Sequence, residues 1–192
     1  MTMTPITIQQ RMEIAEFRRK RAAEASFRRE VGQEVIKMVD KACDLLCAEA
    51  SPIEPFDGFR EAIKLSVTWS SARRFSYGGY RKSRPFVSLS LKDVKEHCVL
   101  KFIEYKSLQK SNVIGSFRGP WQVYVAGLVA HEVAHTVQFT QRYQPGIRLK
   151  GISEESLLKT HGLGWQEIYR YLRESWVNTM PAYEYVNEGS EK

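Results

Sequence analysis

Cysteine is scarce in this chain: Cys43, Cys47 and Cys98 are the only three among 192 residues. Three thiols exclude a disulfide-stapled scaffold. With no second pair to complete a structural metal site, Cys43 and Cys47 read as small core residues on one helix face. No apolar run approaches the roughly 20 residues that cross a bilayer. The first residues also lack the apolar stretch of a secretory leader, so a cytoplasmic protein without membrane partners is expected. Repeats and low-complexity segments are missing too. Histidine is equally rare, with four in the chain, so any site built on imidazole draws on His97, His131, His135 and His161.

Acid is absent where base is dense. The 29 Lys and Arg outnumber the 22 Asp and Glu for a net charge of +7. Residues 71–92 carry Arg73, Arg74, Arg81, Lys82, Arg84 and Lys92 without one carboxylate, interleaved with Phe75, Tyr77, Tyr80 and Phe86. Cations for phosphates and rings for stacking bases suit single-stranded nucleic acid. A solvated strand-turn-strand with core aromatics accounts for the same residues. A second basic cluster, Arg18 to Arg21 with Arg28 and Arg29, lies on a helix opened by a Thr7-x-x-Gln10 capping box, and Glu13, Glu16, Glu24 and Glu30 dilute it.

What the chain does have is His131-Glu132-Val133-Ala134-His135. Histidines four apart lie one above the other on a helix, close enough to share one tetrahedral Zn2+. Glu132 sits about 100° round the helix, beside the metal rather than on it, where it can take a proton from a water on that metal. Gly119 and Pro120 punctuate the chain just before the motif. Ala126, Val129, Val133 and Val137 fall opposite the histidines, and Tyr124, Leu128 and Phe139 flank them, so a buried helix is expected. Gly127 has two readings, space above a metal or close helix packing.

A catalytic zinc needs a third protein ligand. His161 opens His161-Gly162-Leu163-Gly164-Trp165 at the entry of another helical pattern, Trp165, Ile168, Tyr169, Leu172 and Trp176. The rival is Glu155, twenty residues after His135, whose other reading is a solvated first-turn carboxylate. His97 is far from any ligand pattern.

Together, His131, Glu132, His135, His161, Gly162 and Trp165 resemble the SprT-like (Spartan-type) zinc metallopeptidases, which pair H-E-x-x-H with a later H-G-x-x-W/F turn. Leu65 to Ser70, Ala72-Arg73-Arg74 and Val87 to Leu91 resemble that family's strand, small-x-Arg turn and second strand, so the likeness covers roughly residues 60 to 178. It implies one catalytic zinc held by His131, His135 and His161, with Glu132 as general base, and an enzyme that hydrolyses peptide bonds in proteins. It also implies DNA as a platform, and the basic, aromatic segment offers Arg73, Arg74, Tyr77, Tyr80, Arg81, Lys82 and Arg84 as candidate substrate- or nucleic-acid-binding residues. The chain departs from the family in its longer spacing between His135 and His161 and in lacking a C-terminal four-cysteine ribbon. The rival function is a nucleic-acid-binding or adaptor protein that keeps the fold with little proteolysis.

The expected fold is α+β and zincin-like: a basic helical extension over 1–50, a metallopeptidase domain over 51–180 and a loose acidic tail over 181–192. Gly32 is expected to separate two N-terminal helices and Gly78-Gly79 to form the turn of a small, mostly antiparallel sheet. Val99 to Tyr105 reads as a strand or a helix, and a short strand is expected to end at Phe117. Tyr77, Tyr80 and Arg81 are candidates to steady an oxyanion.

Overall fold

The computed structural model describes residues 7–70, 75–108 and 111–186. The chain divides into two compact units, Met1–Glu34 and Val35–Lys192. The first helix, α1, runs from Ile8 to Cys47 without a break at Gly32. A single glycine costs a helix about 1 kcal/mol relative to alanine, and the strong helix formers on either side absorb that.

In the first unit, Thr7 and Gln10 close the expected capping box, with Gln10 N–H donating to Thr7 Oγ1 at 3.2 Å and Thr7 N–H donating to Gln10 Oε1 at 2.9 Å. Glu16 and Lys20 pair at 2.8 Å one turn apart on the exposed surface. In the second unit, Val35, Val39, Ala42 and Leu46 are buried at the expected helical spacing, whereas Ile36 is exposed. Cys43 is buried and its thiol is pushed up to about 12, chiefly by that burial. Cys47 is exposed, contrary to its reading as a core residue.

The mixed α/β character is as expected, but the strands form three small sheets. β1 (Ile53–Glu54) pairs with β7 (Arg148–Leu149), and the four-residue helix α2 is Phe59–Ala62. β2 (Lys64–Thr68), β3 (Tyr77–Arg81) and β4 (Arg84–Ser90) make a sheet ordered β2-β4-β3, in which β2 and β4 run parallel. Gly78 and Gly79 lie inside β3 rather than in its turn, which Lys82 and Ser83 make instead with φ of 52° and 58°. Positive φ at both central residues matches the twist of a two-residue hairpin.

β5 (Val99–Phe102) and β6 (Phe117–Pro120) form the third sheet with β8 (Glu184–Tyr185). Residues 99–102 are therefore strand, and Phe117 starts a strand instead of ending one. Residues 181–186 are not loose: β8 pairs along β6, and Arg118 donates to Glu184. The expected tail beyond 186 lies outside the described residues.

Helix α3 (Trp121–Tyr143) runs through the core, with Val125, Val129, Val133 and Val137 fully buried. α4 (Glu154–Leu158) and α5 (Leu163–Ser175) follow, and α5 buries Trp165, Ile168, Tyr169 and Leu172 as its spacing requires, with Trp176 at its C-terminal cap. A Cβ on Gly127 would fall 2.2 Å from the ring of Phe117, so close packing is why that position is glycine. Among the described residues, no helix is long and apolar enough to cross a membrane.

Candidate metal centre

His131 and His135 stand one turn apart on α3, and His161 meets them from the turn between α4 and α5. One ligand nitrogen from each lies within 4.8 Å of the others, and His135 Nε2 is 2.8 Å from His161 Nε2. Among the described residues this is the group of metal-binding side chains that converges; Glu155 is exposed on α4 and stands outside it. His97 is exposed beside Glu96.

Local backbone chemistry delivers His161. Its φ of 56° is left-handed, and Gly162 follows so tightly that a Cβ there would lie 2.7 Å from the Lys159 carbonyl oxygen. The Gly162 N–H donates to that same carbonyl at 2.8 Å, closing the turn. Trp165, fully buried on the first turn of α5, packs its ring 4.9 Å from those of His131 and His135 and 4.6 Å from His161. The glycine and tryptophan that follow His161 thus form its hinge and its floor.

Each histidine of the motif is oriented from behind. His131 Nδ1 lies 3.3 Å from Glu104 Oε1, whose side chain is wholly buried. His135 Nδ1 lies 3.1 Å from Gln138 Oε1. The Gln138 amide is itself fixed, because its Nε2 donates to the Leu157 and Lys159 carbonyls at 2.8 and 2.9 Å. An acceptor behind Nδ1 favours the tautomer that carries its proton there and turns the Nε2 lone pair to the shared centre.

Burial first, then the neighbouring histidines, pushes His135 down to about 3, and burial and His131 push His161 down to about 4. Both rings are therefore neutral at pH 7, as metal ligands must be. Three converging imidazoles, two of them backed by an acceptor, fit the binding of a metal ion.

The carboxylate behind His131 belongs to a buried network. Tyr169 donates its hydroxyl to Glu104 Oε1 at 2.6 Å, and Arg173 Nη1 donates to the Tyr169 oxygen at 2.9 Å. Arg173 is fully buried, donates to Tyr183 and lies 4.4 Å over the Phe117 ring. Tyr169 is held well above the ordinary tyrosine range by burial and by Glu104.

Glu132 is pushed up to about 7, because burial outweighs the opposing pull of His131 and of the Gly78 backbone N–H that bonds it. Strand β3 approaches α3 so closely here that a Cβ on Gly78 would fall 1.7 Å from the Glu132 carbonyl oxygen. Thr136 ties the same stretch of α3 to β4 by donating to the Phe86 carbonyl at 2.8 Å. Glu132 and the three histidines open on one cavity of about 540 Å³, whose walls include Tyr77, Tyr105, Tyr124 and Phe139.

No family model, curated protein or solved structure matches this chain.

The residues read as nucleic-acid contacts are scattered in role. Arg73 and Arg74 lie outside the described residues. Arg81, Lys82 and Arg84 are exposed at the β3–β4 hairpin, and Tyr77 is half-exposed on the cavity wall. Tyr80 is engaged: its ring stacks on Tyr143 and its hydroxyl donates to Gln144 Oε1 at 2.6 Å.

Several residues at the site escape a reading of the sequence. Gln138 was accessible, since a residue three positions after His135 shares its helix face. Glu104 and Tyr105 lie 27 and 26 residues before His131 in a segment of ambiguous pattern, and nothing local connects them to the motif.

Proposed function

We propose that this chain is a zinc-dependent endopeptidase acting on protein substrates. The observation that carries the reading is the convergence of three imidazoles beside a buried carboxyl, Glu132, on one open cavity. When bound, zinc supplies a Lewis acid that acidifies water and polarises a carbonyl.

The chain's own residues do the rest. His131, His135 and His161 hold the ion, while Glu104 and Gln138 keep the first two aimed. Glu132, buried beside the three histidines, accepts a proton as water attacks the carbonyl carbon and returns it to the departing amine. A purely structural ion would call for a fourth protein ligand and no base beside it.

Single-stranded DNA as a partner is part of this proposal, supported by the exposed Arg81, Lys82 and Arg84 at a hairpin whose neighbour Tyr77 reaches the cavity. The test of the peptidase reading is cleavage of an unfolded polypeptide by the zinc-loaded chain. Cleavage that stops on chelation and returns with zinc supports it, and a zinc-loaded chain that cuts nothing overturns it.

A further inference from the structure

Chain alternation after β5 sends Glu104 and Tyr105 to opposite sides. Glu104 turns inward behind His131, while Tyr105 turns outward into the cavity and stays half-exposed there. Its ring centroid is 4.0 Å from that of His161 and 5.8 Å from that of His131, nearly parallel to the latter at 26°. The Tyr105 backbone is pinned as well, with its carbonyl accepting from Leu108 N–H at 2.7 Å.

Its hydroxyl makes no hydrogen bond with the described residues. A phenol fixed over two of the three histidines, with its O–H unspent, is a donor held ready for something that enters the cavity.

We propose that Tyr105 donates a hydrogen bond to the substrate carbonyl oxygen as that oxygen becomes negative during peptide hydrolysis, a role that rests on the peptidase reading above. The residues that the sequence offers for this work are worse placed. Tyr80 is committed to Gln144, and Arg81 lies on the hairpin and is not part of the cavity wall. Tyr124 sits two helical turns before His131, roughly 10 Å along the axis. Tyr77 also lines the cavity but has no ring contact with the histidines among the described residues, so it serves as the comparison.

In the step itself, the water oxygen bonds to the carbonyl carbon, the carbonyl π pair moves onto its oxygen, and one water proton passes to Glu132. Collapse of the tetrahedral carbon breaks the C–N bond. The nitrogen keeps that electron pair and takes the proton back from Glu132, giving acid and amine. Tyr105 keeps its own proton throughout and lends it only as a hydrogen bond. The same phenol lies beside Glu132 and Glu104, whose charges, after burial, hold it above the ordinary tyrosine range.

Tyr105→Phe removes the donor and keeps the ring. Zinc content and the urea unfolding midpoint should match the parent. With a peptide substrate, kcat should fall about 100-fold, in the range for loss of one oxyanion donor, while KM changes little. A second readout needs no turnover: affinity for a phosphinic peptide, whose tetrahedral oxygen imitates the developing oxyanion, should fall by a similar factor. Affinity for the corresponding uncleaved peptide, measured in the Glu132→Gln background, should not. Tyr77→Phe should cost less phosphinic-peptide affinity than Tyr105→Phe does.

Equal phosphinic-peptide affinity in the parent and Tyr105→Phe overturns the proposal, as does a loss confined to Tyr77→Phe or a loss of zinc from Tyr105→Phe. A zinc-loaded parent that neither cleaves peptide nor binds the phosphinic peptide overturns the peptidase reading itself, and this proposal with it.

Discussion

Gln138 holds His135 with one end of its amide and the His161 loop with the other. Its Oε1 lies 3.1 Å from His135 Nδ1, and its Nε2 donates to the Leu157 and Lys159 carbonyls just before His161. One side chain thus sets the aim of one ligand and the approach of another.

Gln138→Leu should weaken zinc binding about 10- to 100-fold, the usual cost of losing an outer hydrogen-bond partner of a ligand. It also removes the donor to the Leu157 carbonyl, for a destabilisation of about 1–3 kcal/mol at most, whereas the Lys159 carbonyl still accepts from the Gly162 N–H. Gln138→Glu keeps the acceptor for His135 and loses the donors, so its zinc affinity should fall less. Competition against a chelator dye and urea unfolding separate the two effects.

Gly78→Ala tests the close approach of β3 to α3. The new Cβ would meet the Glu132 carbonyl oxygen at 1.7 Å, so strand or helix must move and the N–H that bonds the Glu132 carboxyl moves with it. A loss of about 1–3 kcal/mol is expected, together with reduced cleavage. At Gly79 the added Cβ meets ring edges rather than backbone, Phe86 at 3.2 Å and Phe139 at 3.7 Å, so Gly79→Ala should be much milder in both measurements.

Stability of the metal-free chain should depend on pH through the same groups. His135 and His161 are pushed down from 6.5 to about 3 and about 4. Their contribution is fully present above 6.5 and is lost as pH falls toward those lower values. Glu132 is pushed up from 4.5 to about 7, so its contribution is present below 4.5 and lost as pH rises through 7. Urea midpoints of chelator-treated protein should therefore fall on both sides of mildly acidic pH. Glu132→Gln should flatten the alkaline limb, and His161→Asn the acid limb.

Exposed charge at the hairpin carries the nucleic-acid expectation. If Arg81, Lys82 and Arg84 neutralise phosphates, affinity for single-stranded DNA should fall steeply with added salt. Replacing Arg81 and Lys82 by alanine should reduce the log-log slope by about 0.7 for each phosphate that is no longer neutralised. Absence of salt-sensitive binding by the parent at low ionic strength would remove DNA from the partners.

The H-E-x-x-H helix and the histidine turn were legible because both are local. Four-residue spacing on an apolar helix fixes His131 and His135, and Gly162 and Trp165 mark the hinge and floor of His161. Glu104 and Tyr105 were not legible, because their relation to His131 depends on how β5 and β6 bring together residues far apart in the chain. Gly78 misled for a related reason. Paired glycines ordinarily signal a turn, but here one is required by the nearness of another element's backbone, and the turn falls on Lys82 and Ser83. Gly32 likewise punctuates the sequence without breaking α1, where neighbouring helix formers outweigh one residue's cost.

Glu132→Gln tests the central claim most directly. The amide is nearly the size of the carboxyl and leaves the three histidines in place, yet it cannot take up the proton of an attacking water. Zinc content, unfolding midpoint and cleavage of an unfolded polypeptide should be measured side by side on the parent and the variant. About one zinc per chain is expected in both, with near-equal stability at neutral pH and cleavage by the parent alone. Equal cleavage by Glu132→Gln and the parent would contradict the claim.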